Sequence, residues 1–205
     1  MPRSSQTKEL LASSLQELML TMPLEKISVN DIVEKAGVGR NTFYYHFEDK
    51  FDLMNWYFQK GVVSFLVNSN SYSSWESMLS AMESYFRENR QFYTRALQYT
   101  GQNCLMDYMF DFFTSYFRQR IKEVVPDMNE QDLAVSGNFL SGAFLGLLIP
   151  WVNSGMKNSI SEHQRCLELL SSGRLSSLLF NSKPPTEPQQ RKEASASALA
   201  APTLP

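Results

Sequence analysis

Between positions 40 and 47 the sequence runs Arg40-Asn-Thr-Phe-Tyr-Tyr-His-Phe47, a segment rich in side chains that form hydrogen bonds. Arginine can pair with guanine through two hydrogen bonds and asparagine with adenine, while threonine and tyrosine hydroxyls can reach phosphates or base edges. At 100° per residue, a helix over this segment places its two phenylalanines on one side and Asn41, Thr42 and Tyr45 on the other. The pattern therefore predicts a helix that buries its phenylalanines and presents its polar side to a DNA groove.

The remaining polar residues of the segment lie at the edges of this polar side. Arg40 stands at the leading tip of the helix, and Tyr44 and His46 flank the exposed side. His46 has a competing interpretation, since a histidine at a flank can also pack between helices. The wheel assigns Phe43 and Phe47 to the buried side.

A helix that enters a groove must be held by the helix before it across a tight turn. Ser28 followed by Asp31 is the pattern of a capping box, which predicts that a short helix starts there. Gly37 can adopt a positive φ after that helix, and Val38 supplies an apolar residue that holds the two helices together. A helix-turn-helix over residues 28 to 47 is the resulting prediction.

A third, longer helix follows, with Asp49 and Asp52 as its predicted caps. Lys50 lies at its start, where we expect it to meet a phosphate. The backbone amides near Ser28 and Asp49, at the starts of two helices, could add uncharged phosphate contacts. On periodicity alone the alternative stays open that this is plain helical packing with aromatic residues at its rim.

The segment from Ile27 to Leu53 resembles the N-terminal signature of the TetR/AcrR family of transcriptional regulators. The resemblance includes the Ala-Gly-Val turn, the Thr-Phe-Tyr-x-His-Phe core of the recognition helix and the lysine that follows it. One departure is Gly39, where many relatives have serine, which removes a side-chain phosphate contact and leaves the backbone amide.

The resemblance implies specific roles for the residues of this segment. Buried scaffold roles fall to Ala36, Val38, Phe43 and Phe47. It assigns phosphate or base contacts to Ser28, Arg40, Asn41, Thr42, Tyr44, Tyr45, His46 and Lys50.

Beyond this segment, apolar residues recur at intervals of three and four, which predicts helices. We expect an all-α chain of about nine helices without strands. The predicted parts are a helix-turn-helix DNA-binding domain over 1–66, a helical effector and dimerisation domain over 67–182 and a disordered tail over 183–205, where Pro, Gln, Ser and Ala dominate.

The second domain offers a candidate dimer interface. The helix over 130–153 is apolar nearly all round, which predicts burial against its own domain and a partner at once. With the helix over 160–180 it would form a four-helix interface across a two-fold axis, as the family's dimers do; the alternative is an ordinary intradomain core. The second domain also resembles, more loosely, regulators of the dihydroxyacetone-kinase regulator type. The resemblance lies in three segments, Asn89 to Tyr93, Gly101 to Asn103 and Gly146 to Met156.

An aromatic cluster in this domain could line an effector pocket, or could simply form the core, since aromatic residues at helical spacing usually pack on one another. An effector could be a small apolar molecule or a protein partner, or be absent. The cluster comprises Phe92, Tyr93, Tyr99, Tyr108, Phe112, Phe113, Tyr116 and Trp151.

Charge and composition limit the class of protein. Residues 1 to 58 hold six Lys or Arg against eight Asp or Glu, so binding to DNA must depend on a few placed donors rather than on a basic surface. The most apolar stretch, Ala143 to Val152, is too short to span a bilayer and is interrupted by Pro150, and no apolar signal segment opens the sequence. We expect a cytoplasmic protein without a membrane span.

Catalytic and cofactor motifs are lacking in the sequence. It has two histidines, two cysteines without metal-ligand spacing and no glycine-rich phosphate loop, so we expect no enzyme, metal site or cofactor. The leading hypothesis is a homodimeric repressor that binds a two-fold DNA operator and is relieved by an effector. The alternatives are an activator controlled by a protein partner, and a helical carrier or enzyme with an incidental helix-turn-helix.

Overall fold

The computed structural model describes residues 2–67 and 75–159, and within these ranges the chain is helical and contains no strand. A single 3-10 turn, Leu24–Lys26, separates the first two α-helices. The helices are α1 (Pro2–Thr21), α2 (Val29–Ala36), α3 (Arg40–His46), α4 (Lys50–Val67), α5 (Trp75–Glu88), α6 (Arg90–Gln98), α7 (Leu105–Val124) and α8 (Glu130–Asn153).

The all-α prediction is confirmed, and the eight α-helices of the described ranges agree closely with the expected nine. The helix predicted over 160–180 and the tail predicted over 183–205 lie outside the described residues. The predicted domain boundary near residue 66 adjoins the undescribed stretch 68–74. The described residues belong to one compact unit, and the division at that boundary stays a prediction.

The N-terminal helices share one side of the core. Leu11, Leu15 and Met19, at intervals of four along α1, are each at most 1% exposed. α1 packs against α2, α4 and α6 through this stripe. Phe58 on α4 is fully buried and extends the same core towards the C-terminal helices. α4 therefore connects the short helices to the rest of the described chain.

α7 and α8 pack closely along each other. Gly137 permits the approach, because a Cβ added there would lie 2.6 Å from Cγ of Arg118 and 3.3 Å from the carbonyl oxygen of Thr114. About one turn further along α8, the buried hydroxyl of Ser141 donates to the carbonyl oxygen of Phe110 over 2.9 Å. The side of α8 that faces α7 thus includes two small residues, and Phe144 on the same helix packs its ring against Phe113 of α7, with centroids 4.5 Å apart.

α8 also differs from the sequence expectation in one respect. Pro150 lies inside the helix and does not interrupt it, so the helix extends over 24 residues. Within the described ranges α8 has the length and composition of a membrane-crossing helix. This is weak evidence for a span, since Leu133, Leu148 and Val152 of the same helix are buried in the core of the chain.

Candidate nucleic-acid interface

The turn between α2 and α3 is built around Gly37. Its φ of 65° lies in the left-handed region, which favours glycine. The amide of Gly37 donates to the carbonyl oxygen of Glu34 over 3.1 Å, and the amide of Val38 donates to that of Val33 over 3.0 Å. This pair of bonds is a Schellman motif, and half-buried Val38 packs against the core beneath it. The roles predicted for Gly37 and Val38 are confirmed.

The start of α2 is the predicted capping box. The hydroxyl of Ser28 accepts from the amide of Asp31 over 3.2 Å, and the amide of Ser28 donates to Oδ2 of Asp31 over 2.8 Å. The Ser28 hydroxyl also donates to the same carboxylate over 2.7 Å. These bonds lower the pKa of Asp31 below its ordinary value. Because Ser28 commits both of its donors to Asp31, a phosphate contact through that hydroxyl would have to displace the cap.

α3 carries the polar side predicted from the helical wheel. Phe43 is fully buried and Phe47 is 3% exposed, whereas Tyr45 is 81% exposed. Arg40 and Asn41 are also exposed and Thr42 is half-buried. The division between buried phenylalanines and exposed polar residues therefore agrees with the wheel, with Thr42 at the edge of the exposed surface.

Tyr44 and His46, the two flanking residues of α3, differ in their exposure. Tyr44 is 53% exposed and its ring meets that of Phe43 edge-on at 5.5 Å between centroids. His46 is half-buried, and its ring lies edge-on to that of Tyr45 with centroids 4.8 Å apart. His46 also lies beside Phe47. Tyr44 thus belongs to the exposed surface, and His46 lies between that surface and the packing below it.

The C-terminal end of α3 is seated on α4 by aromatic rings. Phe47 contacts Trp56 of α4 with ring centroids 5.8 Å apart. The ammonium of Lys8 on α1 lies 5.3 Å from the Phe47 ring and 5.8 Å from the Trp56 ring, in cation–π geometry. Sequence reasoning missed this contact, because no local spacing pattern relates Lys8 to Trp56.

The start of α4 is capped as predicted. Oδ1 of Asp49 accepts from the amides of Phe51 and Asp52, over 2.7 and 2.8 Å. Oδ2 of Asp52 accepts from the amide of Glu48 over 3.0 Å, which fixes the chain between α3 and α4. The first turn of α4 is thus rigidly attached to the end of the recognition helix.

Lys50 does not point into solvent. Its ammonium donates to three backbone carbonyl oxygens, those of Leu24 at 2.7 Å, Glu25 at 3.1 Å and Ile27 at 2.7 Å. These three acceptors use all three donors of an ammonium group. The predicted phosphate contact by Lys50 would therefore have to displace at least one of these bonds, whose acceptors lie 23 to 26 residues earlier in the chain.

The aromatic residues predicted as a pocket lining pack mainly against other aromatic rings, for example Tyr99 against Phe51 and Trp151 against Phe86. Phe92, Tyr93, Phe113 and Trp151 are buried, and the other four are half-buried. Phe58 of α4 lies near several of these rings, with its centroid 5.5 Å from that of Phe112. This packing is the alternative that the sequence left open. Tyr108 does contribute to a cavity, described next.

Two concave regions are lined by described residues. One, of about 450 Å³, lies between the start of α4 and the start of α7 and includes Asp52, Asp107 and Tyr108. The other is an open apolar groove of about 630 Å³ between the end of α7 and the start of α8. Val124 and Phe139 on its walls are 77% and 64% exposed.

Two family models match the chain. One described as "Bacterial regulatory proteins, tetR family" covers residues 16–55, which include α2, α3 and the first turn of α4. The other, described as "Transcriptional regulator C-terminal region" and belonging to the same family, covers residues 73–172. Together the two matches cover more than half of the chain.

Individual relatives are similar to parts of the chain. The HTH-type dhaKLM operon transcriptional activator DhaS of Lactococcus lactis is 30% identical over 95 residues, which are 46% of this chain. The match spans about half of that curated relative's length, 51%.

Solved structures share the fold. A structure of the dihydroxyacetone kinase operon activator DhaS covers 82% of this chain and 97% of its own, with 21% identity and a TM-score of 0.53. NalD of Pseudomonas aeruginosa, the secondary repressor of the MexAB-OprM multidrug efflux pump, covers 82% of this chain and 94% of its own, with 17% identity and a TM-score of 0.52.

Proposed function

Since the chain belongs to the TetR family of bacterial regulatory proteins, we propose that it is a transcriptional regulator that reads a two-fold DNA operator as a homodimer. The observation that carries the proposal is the polar side of α3. Arg40, Asn41 and Tyr45 are exposed on a helix whose phenylalanines are buried beneath them. A helix of this kind can enter the major groove and meet base edges and phosphates together.

Within this surface we assign different tasks to different residues. Arg40 and Asn41, at the start of α3, are proposed to read bases, because the leading residues of a recognition helix reach deepest into the groove. Thr42, Tyr44 and Tyr45 are proposed to contact phosphates or base edges through their hydroxyls. The expected roles of the other predicted contacts, Ser28, His46 and Lys50, are narrower, since each already makes contacts inside the protein.

The proposed dimer uses an exposed stripe of α8 that borders the apolar groove between α7 and α8. Val135 and Phe139 are each 64% exposed there, which is unusual for large apolar side chains on a soluble chain. Gly142 and Gly146 follow on the same side. A Cβ at Gly146 would meet no atom of the described residues within 4 Å, so packing among residues 2–67 and 75–159 does not require glycine at a position where it weakens the helix.

A second recognition helix explains why dimerisation would matter. Two reading helices about 34 Å apart fit successive turns of one DNA face. The other helix of the proposed interface, over 160–180, lies outside the described residues. DNA in the bacterial cell is cytoplasmic, so we propose a cytoplasmic location.

The direction of control has two candidates. As a repressor relieved by an effector, the dimer would block transcription until ligand binding altered the distance between its reading helices. The alternative, an activator controlled by a protein partner, is favoured by the name of the Lactococcus relative, a transcriptional activator. A reporter placed behind the operator distinguishes them, since deletion of the regulator raises expression in the first case and lowers it in the second.

The proposal is tested by selecting bound fragments from random DNA with the full chain. We expect enrichment of a two-fold site with half-sites about one helical turn apart. The matched control is a variant with Asn41 and Tyr45 both changed to alanine, which should retain its fold, because both side chains are exposed, and should lose enrichment. Failure of the natural chain to enrich any two-fold site would contradict the proposal.

A further inference from the structure

Lys50 contacts the 3-10 turn that precedes α2, a contact that the sequence analysis did not predict. This contact joins the two ends of the helix-turn-helix. Lys50 is the first residue of α4, and the carbonyls that it binds belong to Leu24, Glu25 and Ile27, just before α2 begins. Everything between these points is α2, the Gly37 turn and α3. One side chain thus ties together the two ends of the reading unit.

Both ends of this contact are fixed to the core. Leu24 and Ile27 are each 1% exposed, so the carbonyls on either side of Glu25 are held by buried side chains. At the other end, the N-cap Asp49 and buried Leu53 hold the first turn of α4. The ammonium therefore joins two immobilised backbone segments rather than two loose ones.

The charge of the group suits this position. Carbonyl oxygens at the end of a helical turn carry partial negative charge, which a cation stabilises. Burial lowers the pKa of Lys50, while Glu25, Asp49 and Asp31 act in the opposite direction. Hydrogen bonds from a charged donor are stronger than those from a neutral one. Removal of the ammonium would therefore deprive the three carbonyl oxygens of a strong hydrogen-bond donor.

We infer that Lys50 is a positioning residue of the helix-turn-helix and not a phosphate contact. By holding the start of α2 against the start of α4, it sets the angle at which α3 is presented to the groove. The inference rests on the proposed DNA binding. It differs from that proposal in saying that affinity depends on this lysine through geometry and not through its charge near DNA.

The two roles differ in how binding depends on salt. A lysine that neutralises one phosphate contributes about one unit per subunit to the slope of log affinity against log salt. We expect Lys50→Met to leave that slope unchanged and to lower operator affinity about tenfold or more at every salt concentration, the factor that corresponds to losing a charged hydrogen bond. Affinity is measured well below the unfolding temperature, so that a purely global loss of stability would not change it.

Matched variants complete the test. Lys26→Ala removes an exposed lysine from the same 3-10 turn and should change neither the slope nor the affinity by much. Lys50→Arg, which keeps a donor of the same charge, should restore part of the affinity. A slope that falls by about one per subunit in Lys50→Met would overturn the inference, as would an unchanged affinity in that variant.

A measurement without DNA keeps the inference separate from the proposed function and from folding failures of the variants. In the free natural chain, the ammonium protons of Lys50 should exchange slowly enough to give a ¹H–¹⁵N signal, while those of exposed Lys26 should not. An absent Lys50 signal in the folded chain would refute the contact. If the signal is present but no operator is enriched, the proposed function fails and the contact stands.

Discussion

The hydroxyl of Tyr57 on α4 donates to Oδ1 of Asn89, the residue between α5 and α6, over 2.5 Å. Nδ2 of Asn89 in turn donates to the carbonyl oxygen of Tyr85 on α5 over 2.8 Å. The helix that carries the recognition unit is thus hydrogen-bonded to the junction of the next two helices.

Removing the Tyr57 hydroxyl should therefore lower the stability of the fold. Tyr57→Phe is expected to lower the free energy of unfolding by about 1 kcal/mol, since it deletes a half-buried hydrogen bond and leaves the ring in place. Chemical denaturation measures the change. Tyr44→Phe, which removes an exposed hydroxyl, is the control and should leave the stability within about 0.5 kcal/mol of the natural chain. Equal losses of unfolding free energy in both variants would contradict a stabilising role of the Tyr57–Asn89 hydrogen bond.

Gly39 is the position at which this chain departs from the pattern of the family it resembles. As N-cap of α3 it has an extended backbone, with φ of −81° and ψ of 157°, and a Cβ there would meet no atom of the described part of the chain within 4 Å. Gly39→Ser should stabilise the fold by about 0.5 kcal/mol, because serine caps the helix and restricts the unfolded chain.

Gly37 provides the matched control for that substitution. It is only two residues away but has a positive φ, so Gly37→Ser should cost about 1 kcal/mol or more. Thermal unfolding of both variants checks the pair. A loss of stability in Gly39→Ser would mean that the start of α3 is not the open cap described above.

The two glycines of α8 at positions 137 and 146 should behave oppositely. Gly137→Ala forces apart α7 and α8 at Arg118 and Thr114 and should lower the unfolding temperature. Gly146→Leu places its Cβ where no atom of the described residues lies within 4 Å and improves helix propensity, but it should prevent the proposed dimer from closing. Sedimentation measures the mass. A Gly146→Leu variant that dimerises as tightly as the natural chain would remove this side of α8 from the interface.

The capping box at α2 should make the stability of the fold depend on pH. The hydroxyl and amide of Ser28 lower the pKa of Asp31, so the folded state favours the carboxylate more than the unfolded state does. The stabilisation is therefore complete above the ordinary aspartate pKa of about 3.9 and is lost as the pH falls through the lower, folded value. NMR titration of the Asp31 carboxyl should show the lowered pKa, and Ser28→Ala should return it towards the ordinary value; an identical pKa in both would contradict this.

Local sequence rules predicted the parts of the site that are local in the chain. The Ser28 and Asp31 cap, the Gly37 turn and the burial of Phe43 and Phe47 all follow from spacings of ten residues or fewer. The resemblance to TetR regulators of the dihydroxyacetone-kinase type, identified from short motifs, agrees with the similarity to DhaS.

Contacts between distant positions could not be predicted in this way. Lys50 was expected at a phosphate because it follows the recognition helix, yet its acceptors are backbone atoms more than twenty residues away. The aromatic residues gave a similar ambiguity: Tyr93 and Phe113 have the same pattern whether they line a pocket or fill a core, and only the position of Phe58 between them shows core packing.

The central claim, that α3 reads DNA bases, is tested most directly by repeating the fragment selection with Asn41→Ala. Asn41 is exposed at the start of α3, and its loss leaves the buried phenylalanines untouched. If Asn41 reads a base, the variant should still enrich a two-fold site but lose its preference at one symmetric pair of positions, a discrimination worth about 1–3 kcal/mol. If the preferred site is unchanged but every sequence is bound more weakly, Asn41 positions the helix and does not read a base. If both the preferred site and the affinity are unchanged, base reading by the start of α3 is contradicted.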